Sequence, residues 1–237
     1  MTKFSWVCGA LTGAFLATTV SIGEAYAQAK VTKQFVIING TKYRRNGAED
    51  AYLGSVGLRR DVGKNAFERQ AEAPKALFKI KSPTTVDIDF KNTASADLGV
   101  SYQGVGVEAS FEQMKQGKLK LVKFEVDNRR DYVAATNKNH AWLDTIRDVD
   151  KDGKLRVVTS IWVLISGEEF NSFKASGNIN YSGNGVTAKV GASGGSEAKF
   201  SFSKDTIIAY GIDRIDWQGK PKTRVIDNLT EDKVGGN

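Results

Sequence analysis

The chain has 237 residues, and 34 lysines and arginines against 27 aspartates and glutamates give it a net charge of +7. Its single cysteine, Cys8, lies near the amino terminus, which excludes a disulfide framework, a thiol nucleophile and a thiolate metal site from the rest of the chain. The positive charge attracts anionic lipid headgroups, nucleic acid or acidic polysaccharide, although it can equally serve solubility alone.

Residues 1–27 are typical of a secretory signal peptide. Lys3 precedes an apolar stretch from Phe4 to about Ile22, and Ala25-Tyr26-Ala27 matches a small-x-small cleavage site. A membrane anchor is the alternative, but the apolar stretch is short for a span and is broken by Gly and Thr. We therefore expect export through a Sec-type signal to the periplasm or the exterior. Residues 28–237 are expected to form one β-rich domain with a short polar C-terminal tail.

The first half of this domain is expected to begin with a β-hairpin. Its arms are Gln34–Ile38 and Thr41–Arg45, and Asn39-Gly40 is the turn between them. The segment from Ala48 to Ala73 is rich in Ala, Glu, Arg and Gln, and this composition predicts a helix near residues 60–72. Prolines bracket residues 77–80 and predict an edge strand there.

Alternating apolar and polar residues predict a β-meander over roughly residues 84–127. Its strands are Thr85–Lys91, Leu98–Phe111 and Leu119–Val126. A shift of phase at Gly104 and Gly106 predicts a bulge in the second strand. Helical spacing then predicts helix over residues 130–148, where Asn139 is a candidate cap for a second short helix.

The most apolar run after the signal peptide is Leu155–Ile165, which predicts a strand buried on both faces at the centre of a sheet. This run is followed by a hairpin of mostly small residues at Gly185–Lys204, a second buried strand at Thr206–Ile212 and a short strand at Thr223–Leu229. The predicted fold class is therefore α+β: a single domain with a mainly antiparallel, twisted β-sheet and two or three short helices.

One loop has the first half of a calcium-binding pattern. Asp148, Asp150 and Asp152 alternate before Gly153, as they do where carboxylates bind Ca²⁺ around a sharp turn. The twelfth position, where a bidentate Glu is needed, is Thr159. An ordinary acidic turn that leads into the strand is the alternative. Ca²⁺ is the only candidate cofactor that the sequence offers.

The sequence offers no catalytic site. His140 is the only histidine, and no nucleophile motif accompanies it. The carboxylate pairs Asp87/Asp89 and Asp213/Asp216 have the residue types that a glycosidase needs, but they fit solvated strand positions equally well. The lysines and arginines between residues 118 and 130 have Phe124 alone interleaved among them, whereas a nucleic-acid surface needs several aromatic residues, so nucleic acid is not an expected partner. We therefore expect a protein that is not an enzyme.

The hairpin at residues 185–204 is amphipathic, as a membrane-inserting β-hairpin has to be. Its alternate polar positions carry Thr, Lys and Ser. The residues predicted to face the membrane are Val186, Ala188, Val190, Ala192, Ala198, Phe200 and Phe202. An ordinary half-buried hairpin gives the same alternation.

From Ala96 to Trp217 the order of elements resembles the pore-forming domain of gasdermins, especially the compact bacterial ones. The likeness is carried by these stretches: Leu98–Phe111, Leu119–Val126, Trp142-Leu143, Arg156–Ile161, Val186–Ala192 and Ser203–Gly211. The resemblance implies a twisted antiparallel sheet with helices that rearranges into membrane-spanning hairpins.

Two functions follow as hypotheses from different classes. The first is an exported, membrane-active and pore-forming protein that acts on an anionic membrane surface and assembles into a homo-oligomer. The second is a non-catalytic periplasmic or secreted β-rich binding module that does not insert. A hydrolase ranks behind both.

Overall fold

The computed structural model describes residues 29–31, 34–60, 66–74, 77–86, 105–176, 187–190, 198–201 and 206–234. These residues form a ten-stranded sheet, a separate two-stranded sheet and four α-helices. The strands are β1 (Ala29–Val31), β2 (Phe35–Ile38), β3 (Thr41–Arg44), β4 (Val56–Arg60), β5 (Ala66–Ala71), β6 (Thr84–Val86), β7 (Leu119–Glu125), β8 (Leu155–Ser166), β9 (Thr187–Val190), β10 (Ala198–Ser201), β11 (Ile207–Gln218) and β12 (Val225–Glu231). The helices are α1 (Val107–Lys115), α2 (Arg129–Lys138), α3 (His140–Val149) and α4 (Gly167–Ser176), and a short 3-10 helix covers Ala48–Asp50.

The pair β8–β11 is the centre of the large sheet, and every pairing in that sheet is antiparallel. The other edge of β8 pairs with β4 near its start and with β7 along its second half. The other edge of β11 pairs with β3 at Tyr210 and with β12 from Asp213 onward. The strand Leu155–Ser166 is buried from Val157 to Ile165, which confirms the predicted central strand.

Both faces of the sheet are covered by apolar clusters. The larger cluster packs α2 and α3 against the sheet through Tyr132, Trp142, Leu143 and Ile146. The Tyr132 hydroxyl donates to the Gly54 carbonyl at 2.9 Å, which ties α2 to the loop before β4. The smaller cluster lies on the other face and includes residues of β1, β2 and α1. An α+β sheet protein with short helices is the fold class that the sequence predicts.

The local signals in the sequence are confirmed where they are strongest. Strands β2 and β3 form the predicted hairpin, and Asn39 and Gly40 at its turn both adopt positive φ. The helix prediction over residues 130–148 is also correct, since α2 and α3 occupy it. The Asn139 side chain accepts a hydrogen bond from the Trp142 amide at 3.2 Å, as the predicted cap requires.

The helix predicted near residues 60–72 is wrong. This part of the chain contributes β4 and β5, which pair antiparallel, and β4 pairs in turn with β8. The buried ring of Phe67 packs at Gly57, where an added Cβ would lie 2.4 Å from the ring. This long-range packing outweighs the helix propensity of the Ala, Glu, Arg and Gln residues.

Two strand predictions also fail in part. Within the predicted strand Leu98–Phe111, the described portion begins a helix at Val107, because residues 108–115 are mostly good helix formers and Phe111 and Met114 share one buried face. Residues 87–104, with the predicted bulge at Gly104, lie outside the described residues. In the predicted edge strand at residues 77–80, Ile80 makes a single bridge to Val126.

Candidate functional site

The chain leaves one end of the large sheet twice and returns to it, and we call these two segments, residues 87–118 and 167–206, the first and second excursions. Strands β6, β7, β8 and β11 are neighbours in that order, and each is antiparallel to the next. The register places the end of β6, the start of β7, the end of β8 and the start of β11 at the same end of the sheet. The chain leaves this end at Val86 and returns at Leu119, and it leaves again at Ser166 and returns at Ile207.

The second excursion contains the amphipathic hairpin. Strands β9 and β10 pair antiparallel as a two-stranded sheet, and among the described residues they pair with no strand of the large sheet. The register sets Ala198 opposite Val190 and Phe200 opposite Ala188. Lys199 lies opposite Lys189, and Ser201 lies opposite Thr187. The apolar members of the predicted membrane-facing set are thus opposite one another, whereas Val186, Ala192 and Phe202 lie outside the described residues.

Each excursion also contains a short helix next to the sheet. In the first excursion, α1 buries Phe111 and Met114 in the smaller apolar cluster. In the second, α4 begins directly after β8 with a capping box: the Ser166 amide donates to the Glu169 carboxylate at 2.9 Å, and the Glu169 amide donates to Ser166 Oγ at 3.1 Å. Both helices are therefore anchored at the end where the excursions begin.

The three aspartates of the candidate calcium loop lie in different environments. Asp148 and Asp152 are exposed, whereas Asp150 is buried. Asp150 Oδ1 accepts from the Leu155 amide at 2.9 Å, and Oδ2 accepts from Trp217 Nε1 at 2.5 Å. The carboxylate of Asp150 therefore holds the loop against β8 and β11. Among the described residues no group of three His, Cys, Asp or Glu side chains is arranged to hold a metal ion, so calcium binding stays a prediction.

The sequence-predicted carboxylates and histidine are also placed by the fold. Asp213 is buried and accepts from Thr159 Oγ1 at 2.9 Å and from Arg129. Asp216 accepts from Arg214 Nε at 2.9 Å, and His140 is exposed at the start of α3. Asp87 and Asp89 lie outside the described residues. Both members of the Asp213/Asp216 pair are thus bound to arginine.

A polar pocket of about 200 Å³ opens beside Asp213 on the sheet. It is lined by residues of β3, β7, β8, β11 and α2, by the end of β12 and by the segment after β12. Lys123 and Glu125 form an ion pair of 2.6 Å on one of its walls. The pocket mixes both signs of charge, and such a pocket suits a small polar ligand better than an apolar one.

A cluster that the sequence did not indicate surrounds Asp232, directly after β12. Arg156 Nε donates to Asp232 Oδ2 at 2.6 Å, Arg44 Nη2 donates to Oδ1 at 2.8 Å, and Arg59 Nη1 donates to Oδ1 at 3.1 Å. Burial alone would raise the pKa of Asp232, but the hydrogen bond from Arg156 and the charges of the three arginines lower it below the usual value. Burial lowers the pKa of Arg44, against the effect of Asp232.

No signal in the sequence could have identified this cluster, because Arg44 and Asp232 are 188 residues apart.

Within the described part of the chain, no helix is long and apolar enough to cross a bilayer. Comparison with protein-family models, with curated proteins and with solved structures finds no match for this chain.

Proposed function

We propose that this protein is an exported, membrane-active protein that forms pores by inserting amphipathic β-hairpins, and that it acts as a homo-oligomer on anionic membranes. The observation that supports this most directly is the order β6–β7–β8–β11, with both long excursions starting from one end of these four strands. Strands that extend from this end as two neighbouring hairpins continue an existing antiparallel ladder, so no strand order has to change.

The lengths of the excursions are sufficient for this. A membrane-spanning β-strand needs about 9–11 residues, so one hairpin needs about 20 residues and a turn. The chain has residues 87–118 in the first excursion and residues 167–206 in the second, and each segment exceeds that length. Closed β-structure is one of two ways in which a backbone can satisfy its hydrogen bonds in hydrocarbon, and closure requires several copies when one chain supplies only four strands.

The pattern of the second excursion supports insertion as well. Its hairpin already sets apolar residue opposite apolar residue and polar residue opposite polar residue. A strand in a membrane barrel needs this one-sided alternation, with lipid on one face and water on the other. The net charge of +7 favours approach to an anionic surface.

Dye release from liposomes is the direct test. Purified protein without residues 1–27 is mixed with dye-loaded anionic and zwitterionic liposomes over a range of pH, and we expect release from the anionic ones. Single cysteines at Ala188, Val190, Lys189 and Lys199, introduced into this otherwise cysteine-free chain, then carry an environment-sensitive fluorophore. Fluorescence should rise at the first two positions and stay low at the two lysine positions.

If no lipid composition or pH gives dye release, the membrane proposal fails and the binding module takes its place. The observation in favour of that second function is the polar pocket of about 200 Å³ beside Asp213. Uniform fluorescence changes at all four labelled positions would also contradict insertion as a hairpin, because a spanning strand alternates between lipid and water.

A further inference from the structure

The ten-stranded sheet carries three arginines side by side on one face. Arg59 is on β4, Arg156 is on β8 and Arg214 is on β11, which are three adjacent strands. Arg156 is paired directly with Arg214, and Gly57, two residues before Arg59, is paired with Arg156. We call Arg59, Arg156 and Arg214 the arginine row. Like charges that lie directly opposite on neighbouring strands destabilise a sheet unless an anion compensates them.

Among the described residues, two carboxylates compensate the arginine row, those of Asp232 and Asp216. Asp232 bonds Arg59 and Arg156 of the row as well as the buried Arg44, so one carboxylate serves three guanidinium groups. A guanidinium has five N–H donors, whereas a carboxylate offers about four acceptor positions. Arg214 bonds Asp216 through Nε and makes no ion pair with Asp232 among the described residues.

A groove of about 330 Å³ lies over the arginine row. Four cationic side chains line it against two anionic ones, and Thr230, paired with Arg214 across β11 and β12, donates its hydroxyl to Asp216. The cationic lining residues are Arg59, Arg156, Arg214 and Lys233, and the anionic ones are Glu231 and Asp232. The residues that line this groove therefore carry an excess of two positive charges.

We propose that this groove binds a phosphoryl-type oxyanion between Arg156 and Arg214, with Lys233 at its side. Arginine binds such groups by parallel N–H donors to two oxygens, and a phosphoryl group has enough oxygens to contact two guanidinium groups and an ammonium group at once. The bound anion offsets the excess positive charge of the residues that line the groove. The site does not rest on the pore-forming proposal, since a free phosphate and a phosphorylated lipid headgroup present the same chemistry.

The test compares Arg214→Gln with Arg60→Gln in binding experiments at constant ionic strength. Arg214 has a half-exposed side chain and pairs only with Asp216 among the described ion pairs, so its removal leaves the Asp232 cluster intact. Arg60 is the matched control, because it is an exposed arginine of β4 that pairs with Glu68 and does not line the groove. Inorganic phosphate is titrated calorimetrically in one arm. In the other arm, binding to vesicles with phosphomonoester headgroups is compared with binding to phosphatidylserine vesicles of equal surface charge.

We expect Arg214→Gln to weaken phosphate binding about tenfold and Arg60→Gln to leave it unchanged. This result supports the site with a soluble anion as its ligand. Binding only to the phosphomonoester vesicles, with the same dependence on Arg214, supports the site with a lipid source. Asp232→Asn supplies a second readout, since phosphate should raise its melting temperature more than that of the wild type. Equal affinity of wild type and Arg214→Gln for both ligands would overturn the proposal.

Discussion

Strands β8 and β11 differ from strands β9 and β10 in almost every respect that determines stability. The first two are 12 residues long, lie side by side at the centre of the large sheet and are buried over most of their length. The second two are 4 residues long and pair only with each other among the described residues. Yet the second pair lies in the chain between the first two strands, after α4.

We call the large sheet around β8 and β11 the frame, and β9 and β10 the hairpin. The frame is expected to be stable, whereas the hairpin is expected to be weakly held. Burying a Val, Leu or Ile side chain contributes about 1.5–3 kcal/mol, and β8 contributes many such residues. The hairpin is built from Val, Ala, Thr, Lys and Ser with one Phe in its described strands, so it has little apolar area to contribute. A segment that has to leave its place for a membrane is expected to come from the less stable part of a fold. Substitutions should therefore affect stability strongly in the frame and function strongly in the hairpin.

The largest expected effect is at the centre of the frame. Val163 in β8 is 0 % exposed, and it pairs with Val122 on one side and Ile207 on the other. Val163→Asp buries a charge without a partner, which should cost about 5 kcal/mol or more and prevent folding. The measurement is the yield of soluble protein together with thermal unfolding by circular dichroism.

The matched control for that change is Val225→Asp in β12, because Val225 is 36 % exposed. An exposed carboxylate should change stability by no more than about 0.5 kcal/mol. A Val163→Asp protein that is soluble and melts as cooperatively as Val225→Asp would show that β8 is not the buried centre of the sheet.

A smaller effect is expected at the loop that leads into β8. Asp150→Asn replaces an acceptor oxygen with a donor facing the buried Leu155 amide or the partly buried Trp217 Nε1, so one of these donors loses its partner. We expect a loss of about 2–3 kcal/mol in the free energy of unfolding, measured in urea. Asp148→Asn, at an exposed position in the last turn of α3, should lie within about 0.5 kcal/mol of the wild type. If the two variants are less stable than the wild type by equal amounts, and only when millimolar Ca²⁺ is present, the calcium loop would be favoured instead.

Acid should weaken the frame through Asp232. Its carboxylate has a lowered pKa in the folded protein, because the arginines outweigh the effect of burial. A lowered folded-state pKa means that the unfolded chain binds the proton more readily, so this stabilisation is present above about pH 4 and is lost as pH falls through the folded-state pKa. Urea unfolding between pH 3 and pH 6 should show a shallower loss of stability in Asp232→Asn than in the wild type. An identical slope in the two proteins would mean that Asp232 does not contribute to acid sensitivity.

The parts of this fold that the sequence predicts are those with local causes. Asn39-Gly40 specifies a hairpin by its own backbone preference, and Asn139 caps a helix through a residue three positions away. The apolar run of β8 marks burial on both faces without reference to its neighbours. Short-range physics was sufficient for these elements.

The parts that the sequence does not predict depend on distant residues. The helix-forming composition near residues 60–72 yields two strands, because β8 provides an edge for β4 and Gly57 leaves room for Phe67. Asp232 belongs to the segment predicted as a polar tail, yet it binds arginines that precede it by 188, 173 and 76 residues. Neither contact leaves a periodic pattern in the sequence. The predicted membrane-facing hairpin falls between these cases, since its alternation is local but its surroundings are not.

The smallest effect on stability, and the largest on function, is expected at the hairpin. Val190→Asp lies in a four-residue strand that pairs only with β10 among the described residues, so we expect the free energy of unfolding to change by less than about 1 kcal/mol. In an inserted hairpin, the same carboxylate would have to face hydrocarbon at a cost of about 2–3 kcal/mol per chain, repeated in every copy of an oligomer. Dye release from anionic liposomes should therefore be abolished while the melting temperature stays near that of the wild type. Thr187→Asp is the control, because it adds the same charge to the same strand at a polar position of the alternation, and it should still release dye. If Thr187→Asp and Val190→Asp reduce release equally, the added charge acts on membrane approach and not on insertion, and the division into a stable frame and an inserting hairpin would fail.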